Sequence, residues 1–566
     1  MSPADELKEL TAPLRSAFGA VAAFSLAINL LMLAPAVYML QMYDRVLTSR
    51  NETTLLMLTL ILAGLLALDA ALEWVRSRVM VRVGAAFDLQ LNPRIMEASF
   101  ARALSGSATS RGEGLADLAT LRQFLTGKGL FVFFDAPFVP IFLLVVFLLD
   151  AWLGLFALVS VVLLLLLAWL NERLAAPLLG ESARRQNAAA RLAGKQLRNA
   201  EIVAALGMAG SLRERWLVRH LQFLGMSGAA ADRAAAFAAL TRFTRLLLQS
   251  GILGAGAWLV LSGRLTPGGM IAASILLGRA LSPVDLAIST WQSVVSARQA
   301  WHRLDTLLQQ HPAQAAAATV LPRPSGQVQA EQLVVAAPGS RNPIIRGARF
   351  QVMPGKVVAI VGPSASGKST LSRALVGIWR PLAGAVRLDG ADVHNWDRRQ
   401  LGPFIGYLPQ DIELFDGTIA ENIARFGTTD SEQIVAAARR AGVHEMVLGF
   451  PAGYDTVIGE NGAALSAGQR QRIGLARALY GDPALIVLDE PDASLDEAGE
   501  AALRASLLAL KEERRTVFVV THRATVLSVA DQVMVLVDGQ VKAFGDREQV
   551  LKPVARNPEP AGGQGR

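Results

Sequence analysis

Along the first 290 residues the apolar positions fall in long unbroken runs; beyond that they alternate with polar positions every few residues. Runs of about 18 to 25 mostly apolar residues match the ~30 Å hydrocarbon core of a bilayer. The pattern predicts six membrane-spanning helices, at 17–40, 55–75, 130–149, 152–170, 240–261 and 268–288. Pro35 falls inside the first and predicts a kink there. Residues 289–311 read as an amphipathic helix, and the Pro, Ala and Gly content of HPAQAAAATVLPRPSGQ (311–327) as a linker. From 328 to 550 short apolar strands and helical periods interchange, as in a soluble α/β domain. The expected organisation is a short N-terminal segment (1–16), a membrane domain with helical extensions (17–310), the linker, the α/β domain (328–550) and a tail without apolar periodicity (551–566). That tail is expected to be disordered.

The second run contains Asp69. Roughly nine Leu and Ile between Leu55 and Leu68 favour insertion by about 3 to 5 kcal/mol, against ~2.5 to 3.5 kcal/mol for a central aspartate. The span survives, with Asp69 either in an interhelical hydrogen bond or on a polar translocation path. A net charge of +8 raises nucleic acid as a partner, but the arginines concentrate in 76–128 and 173–219, while the turn at Asp150 between two spans has no basic residue. That is the positive-inside pattern. It places both loops and both termini in the cytoplasm, with membrane lipids, not nucleic acid, as surroundings. The Ala34-Pro35-Ala36 stretch resembles a signal cleavage site, yet Asp5, Glu6 and Glu9 precede it and the apolar run continues to Met42, so a first span is expected. The chain has no cysteine, which excludes disulfides, thiolate metal sites and a cysteine nucleophile. Its six histidines lack zinc-like spacing.

The chemistry sits in the α/β domain. GPSASGKST (Gly362, Pro363, Ser364, Ala365, Ser366, Gly367, Lys368, Ser369, Thr370) follows the strand-like VVAIV and fits G-x-x-x-x-G-K-[ST]. Such a loop turns backbone N–H groups onto phosphate oxygens; Lys368 reaches the β- and γ-phosphates and Ser369 ligates Mg²⁺, so ATP and Mg²⁺ are the expected cofactors. The strand LIVLDE ends in Asp489, placed for the metal shell, and Glu490, placed to polarise an attacking water. Gln410 in GYLPQD and His522 in VFVVTHR each follow a strand and suit the γ-phosphate, Gln410 also the metal and water. A second glycine-containing turn, Leu465, Ser466, Ala467, Gly468, Gln469, opens onto another helix and offers a second anion-facing N-terminus.

Together these segments, with Asp496 in SLD, resemble the ordered motif set of ABC transporter ATPases over the whole soluble domain. The resemblance implies that LSAGQ faces the γ-phosphate bound by a second copy, Ser466 and Gly468 of one closing over Lys368 of the other, with Asp496 along that interface. Ala467 replaces a glycine usual in the family, and positive φ there would be costly. Where relatives carry an adenine-stacking ring, LVVAAPGS has Ala336 and Ala337, so affinity is expected to rest on phosphate contacts. MLQMYDRVLTSRNETTLLMLT (39–59) and FFDAPFVPIF (133–142) resemble type I secretion exporters of Gram-negative bacteria, particularly those exporting alkaline proteases. The implied fold is a six-span membrane α-helical exporter domain fused to an α/β P-loop ATPase. The implied function is ATP-driven export, by a homodimer in the bacterial inner membrane, of an unfolded protein with an uncleaved C-terminal signal. A periplasmic membrane-fusion adaptor and an outer-membrane channel are the implied partners. Lipid or drug export and an ATP-gated channel are the alternatives. Many relatives begin with a peptidase-like domain; with about fifteen residues before the first span and no cysteine, leader cleavage is not expected. Two helical stretches, 114–125 and 199–216, are expected to transmit nucleotide state to the membrane.

Overall fold

A computed structural model describes residues 15–106, 112–313, 320–459, 462 and 464–554. The expected tail lies almost wholly outside these, as does most of segment 1–16. The chain divides into two compact units, residues 1–99 with 110–313 and residues 100–109 with 314–566.

Among the described residues, six helices of the first unit are long and apolar enough to cross a membrane. The first span is split into α1 (Arg15–Leu31) and α2 (Ala34–Gln41). The break comes at Met32 and Leu33, and Pro35 stands in the first turn of the new helix, where its missing N–H does least harm. A π-helical turn, Met42–Val46, follows. Then come α3 (Glu52–Leu104), α4 (Glu113–Thr126), α5 (Lys128–Asp135), α6 (Val139–Leu149), α7 (Ala151–Arg198), α8 (Ala209–Leu261) and α9 (Pro267–Gln310). At 1.5 Å per residue α3 and α8 are each about 80 Å long, far beyond a bilayer core.

Residues 289–310 are helical as expected and continue the sixth span: α9 runs unbroken through Pro283 to Gln310, with buried residues from Gly268 to Val284 and again from Ala297 to Leu308. The stretch 199–216 is not one compact helix. A short helix (Ala200–Ala205) ends at Gly207, φ 64°, and Ala209 starts α8.

Polar clamps hold the unit at both ends. Arg76 of α3, 4 % exposed, donates to Asp135 (2.9 Å) and to Ser25 Oγ (2.9 Å), while Asn29 also donates to Asp135 (3.1 Å). The Arg76 guanidinium lies 4.2 Å from the Phe131 ring centroid. At the other end, the Asp44 carboxylate accepts from Thr266 Oγ1 (2.6 Å) and Gly268 N (2.9 Å), capping α9 from the first span. Asp117 of α4 receives two hydrogen bonds from Arg303 of α9, at 2.9 and 2.6 Å.

The second unit carries two sheets. In the smaller, β1 (Val328–Ala336) lies between β2 (Pro343–Val352) and β4 (Ala383–Leu388), all antiparallel, with the short β5 (Ala391–Asp392) outside β4. The larger has the order β10-β9-β3-β8-β7-β6, from β3 (Val357–Val361), β6 (Ile405–Leu408), β7 (Leu485–Asp489), β8 (Thr516–Val520), β9 (Gln532–Val537) and β10 (Gln540–Asp546). β6, β7, β8, β3 and β9 run parallel. Every residue of β7 and β8 is buried, as continuous apolar strands covered on both faces must be. Their carboxyl ends therefore share one edge, where ligands bind in open parallel sheets.

Candidate functional site

The loop after β3 is bent by need. A Cβ on Gly362 would come within 2.0 Å of the Leu536 carbonyl oxygen, and Gly367, φ 101°, caps α10 (Lys368–Leu375) in the left-handed region. Ala365 also adopts positive φ, 63°, without glycine's freedom. Lys368 is buried, and its Nζ donates to the carbonyls of Gly362 and Pro363, both at 2.9 Å. The ammonium is thereby poised at the loop's mouth. Ser366, also buried, has an Oγ without a hydrogen-bond partner, while Thr370 is packed beneath the helix start. Pro363 and Ser364 are exposed, and Ser369 is half-buried.

Asp489, 1 % exposed, ends β7 with both carboxylate oxygens lacking a hydrogen-bond partner among the described residues. Burial raises its carboxyl above the ordinary range; Ser369 opposes the shift, neighbouring Glu490 adds to it, and Arg373 and Lys368 pull it down. A buried carboxylate with orphaned oxygens, close to a hydroxyl and cations, fits a divalent metal. Glu490 takes positive φ, 50°, an unfavourable backbone for a non-glycine residue. Four hydrogen bonds hold it: its N–H to Val520 O (3.1 Å), Ala493 N (3.2 Å) and Gln471 Nε2 (3.1 Å) to its carbonyl, and Gln410 Nε2 to its Oε2 (3.0 Å). The structure thus brings Gln410 and Glu490 together. His522 stands two residues past Val520, the register partner of Asp489, but is exposed and without a hydrogen-bond partner among the described residues.

With this geometry in place, comparison with known proteins decides the family. Residues 18–282 match the ABC transporter transmembrane region and residues 345–493 the ABC transporter model. The type I secretion system ATP-binding protein PrsD of Rhizobium meliloti (strain 1021) is 43 % identical over 547 residues, 96 % of this chain and 93 % of that protein. The chain belongs to the type I secretion ABC transporters. The cyclolysin secretion/processing ATP-binding protein CyaB of Bordetella pertussis is 28 % identical over 95 % of the transporter and 76 % of CyaB. A solved bacterial Atm1-family ABC exporter with ATP bound has a TM-score of 0.84 over 97 % of the transporter and 99 % of that chain; at 23 % identity it bears on the fold alone. The ATPase domain and these relatives make the transporter an ATP-binding enzyme that couples ATP hydrolysis to type I protein secretion through a membrane domain.

In the transporter the second glycine turn is a capping box. Ser466 Oγ accepts from Gln469 N (3.2 Å), and Gln469 Oε1 accepts from Ser466 N (2.9 Å), opening α11 (Ala467–Leu479). Ala467 is the first helical residue and needs no positive φ, so the feared cost of losing glycine is absent. Gly468 is tighter: its Cβ would lie 3.0 Å from Ser494 O. Leu465 is buried, whereas Ser466 and Ala467 are exposed. Among the described residues no hydrogen bond joins this turn to the phosphate loop of its own chain. Asp496 caps α12 (Glu497–Glu512) through Gly499 N (2.8 Å) and lies 3.8 Å from Arg472. Ala336 is buried in β1, paired with Pro343, and neither it nor Ala337 offers a ring.

Sequence reading missed Gln471, Asp492 and Thr521. Gln471 and Asp492 are buried polar residues near motifs, and their proximity was a usable signal. That Thr521 Oγ1 bonds the Asp492 carboxylate, fixing the loops after β7 and β8 to each other, is visible only in three dimensions.

Proposed function

We propose that the transporter works as a homodimer in the bacterial inner membrane, with its ATPase domains in the cytoplasm. It moves an unfolded protein carrying an uncleaved C-terminal signal, together with a periplasmic adaptor and an outer-membrane channel. The observation that carries this reading is the 43 % identity to PrsD across nearly both full chains, membrane half included.

In this reading the loop from Gly362 to Thr370 wraps the ATP phosphates, and Lys368 exchanges its two loop carbonyls for phosphate oxygens. Ser369, Gln410 and Asp489 would hold a Mg²⁺, which neutralises charge on the phosphates. Glu490 orients and polarises the water that attacks the γ-phosphorus, and ADP leaves as the bond to the bridging oxygen breaks. Gln410 holds the Glu490 carboxylate at 3.0 Å, so anything that moves Gln410 also moves the base. His522 turns onto the γ-phosphate once nucleotide is bound. Each pocket is closed by Ser466 and Gly468 of the second copy, with Asp496 along the same interface. ATP binding then favours a closed dimer and hydrolysis releases it, which gives the membrane helices two states to alternate between.

Glu490→Gln tests the assignment. Removing a general base lowers turnover by about 10² to 10⁴-fold. The variant is expected to bind ATP and remain closed, as followed by nucleotide retention and phosphate release. Near-normal hydrolysis would remove Glu490 from this role.

A further inference from the structure

The membrane unit contains charges that the ATPase chemistry does not use. On α3, Asp69, Glu73 and Arg76 recur at helical spacing and form one stripe. Arg76, at its lower end, is buried against Ser25 and Asp135, and Asp69, at its upper end, is half-buried, so both ends of the stripe turn toward the bundle. Asp69 Oδ1 is buried with no hydrogen-bond partner, and Glu73 is exposed and has no partner among the described residues. Arg279 of α9 is close enough to interact electrostatically with Asp69, yet makes no ion pair among the described residues; its Nη1 lies 3.8 Å from Met32 Sδ.

Met32 is where the first span breaks. Pro35 supplies no N–H to the Leu31 carbonyl, and Ala36 and Val37 both donate to Leu33 O. The depths agree. Arg76 is level with Ser25 and Asn29, so Asp69 and Met32 stand about 10 and 8 Å above it at 1.5 Å per residue. Unpaired charges and irregular backbone are tolerated at membrane depth only in protein or beside water.

We propose that Asp69, Glu73, Arg279 and the Met32–Leu33 break form one wall of a water-filled route through the membrane unit, past which the polar groups of the exported polypeptide move. The identity of the passing chain rests on the export reading above; the wall does not. Because the chain has no cysteine, single substitutions report directly. Asp69→Cys, Glu73→Cys and Arg279→Cys in full-length transporter reconstituted in vesicles are treated with a charged, membrane-impermeant methanethiosulfonate. The reference is Leu60→Cys, 59 % exposed and about 180° around α3 from Asp69 at 3.6 residues per turn. Leu33→Cys keeps all three charges, should their loss impair folding. Labelling at least about tenfold faster than at residue 60 is expected at these positions, since thiols react as thiolates, which form in water. Labelling of Leu33→Cys and Asp69→Cys as slow as that of Leu60→Cys, in protein that still hydrolyses ATP, overturns the wall. The labelling needs no cargo, so its failure is distinct from failure of the export reading.

Discussion

At the scale of single residues, the ATPase site is built from groups that folding alone would disfavour. Asp489 is buried with unpaired oxygens, and Glu490 and Ala365 sit at positive φ. These costs are met by the fully buried strands beneath them. The raised Asp489 carboxyl has a measurable consequence. The folded protein holds this proton more tightly than the unfolded chain, so the associated stability is complete below the ordinary carboxylate pKa of about 3.9 and is lost as pH rises through the raised folded value. At neutral pH the metal-free protein therefore carries a penalty for an ionised Asp489. Asp489→Asn is expected to raise its melting temperature there, to leave it unchanged in acid, and to remove the added stabilisation by Mg²⁺ and ATP. Scanning fluorimetry with and without nucleotide checks all three.

At the scale of elements, long helices are held by a few polar clamps. Lipid offers no hydrophobic drive for helices to associate, so small-residue packing and polar contacts carry more of the specificity. Asp135→Ala leaves the Arg76 guanidinium buried without its carboxylate, a loss expected to cost about 3 to 5 kcal/mol. Thermal unfolding in detergent measures it, and Asp135→Asn, which keeps an acceptor, is expected to lose less. Asp44→Ala removes the cap that the first span places on α9 and is expected to cost about 0.5 to 2 kcal/mol. Gly268→Ala attacks the same joint from the other side, because its methyl would fall 2.6 Å from Asp44 Oδ1 and 2.7 Å from Leu40 O. Equal stability of Gly268→Ala and the parent would show that this joint yields easily.

At the scale of the whole molecule, the proposed site is divided between two copies, and mixing two inactive variants tests the division. Lys368→Ala disables its own phosphate loop, while Ser466→Arg disables the turn offered to the partner. If the sites are shared, a mixed dimer has both lesions in one pocket and an intact second pocket. An equal mixture is then expected to recover up to about a quarter of parental ATPase activity, because half the dimers are mixed and each keeps one of two sites. Recovery no greater than the average of the two variants alone would mean that each chain completes its own pocket.

The sequence by itself determined the six spans, the α/β character of the soluble domain and the motif positions, because each depends on local spacing: apolar length against bilayer thickness, and loop residues against backbone geometry. Thus 362–370 runs from the end of β3 into the first turn of α10 as its spacing required, and Asp489 ends a buried strand. Periodicity alone could not show that α9 continues past 288, since that depends on neighbours covering its apolar face. Nor could it find the Gln471 and Gln410 contacts to Glu490, the Thr521–Asp492 contact or the Asp44 cap, which join residues up to 224 positions apart. Such pairings are chosen by which strands and helices become neighbours, and only the tertiary structure decides that.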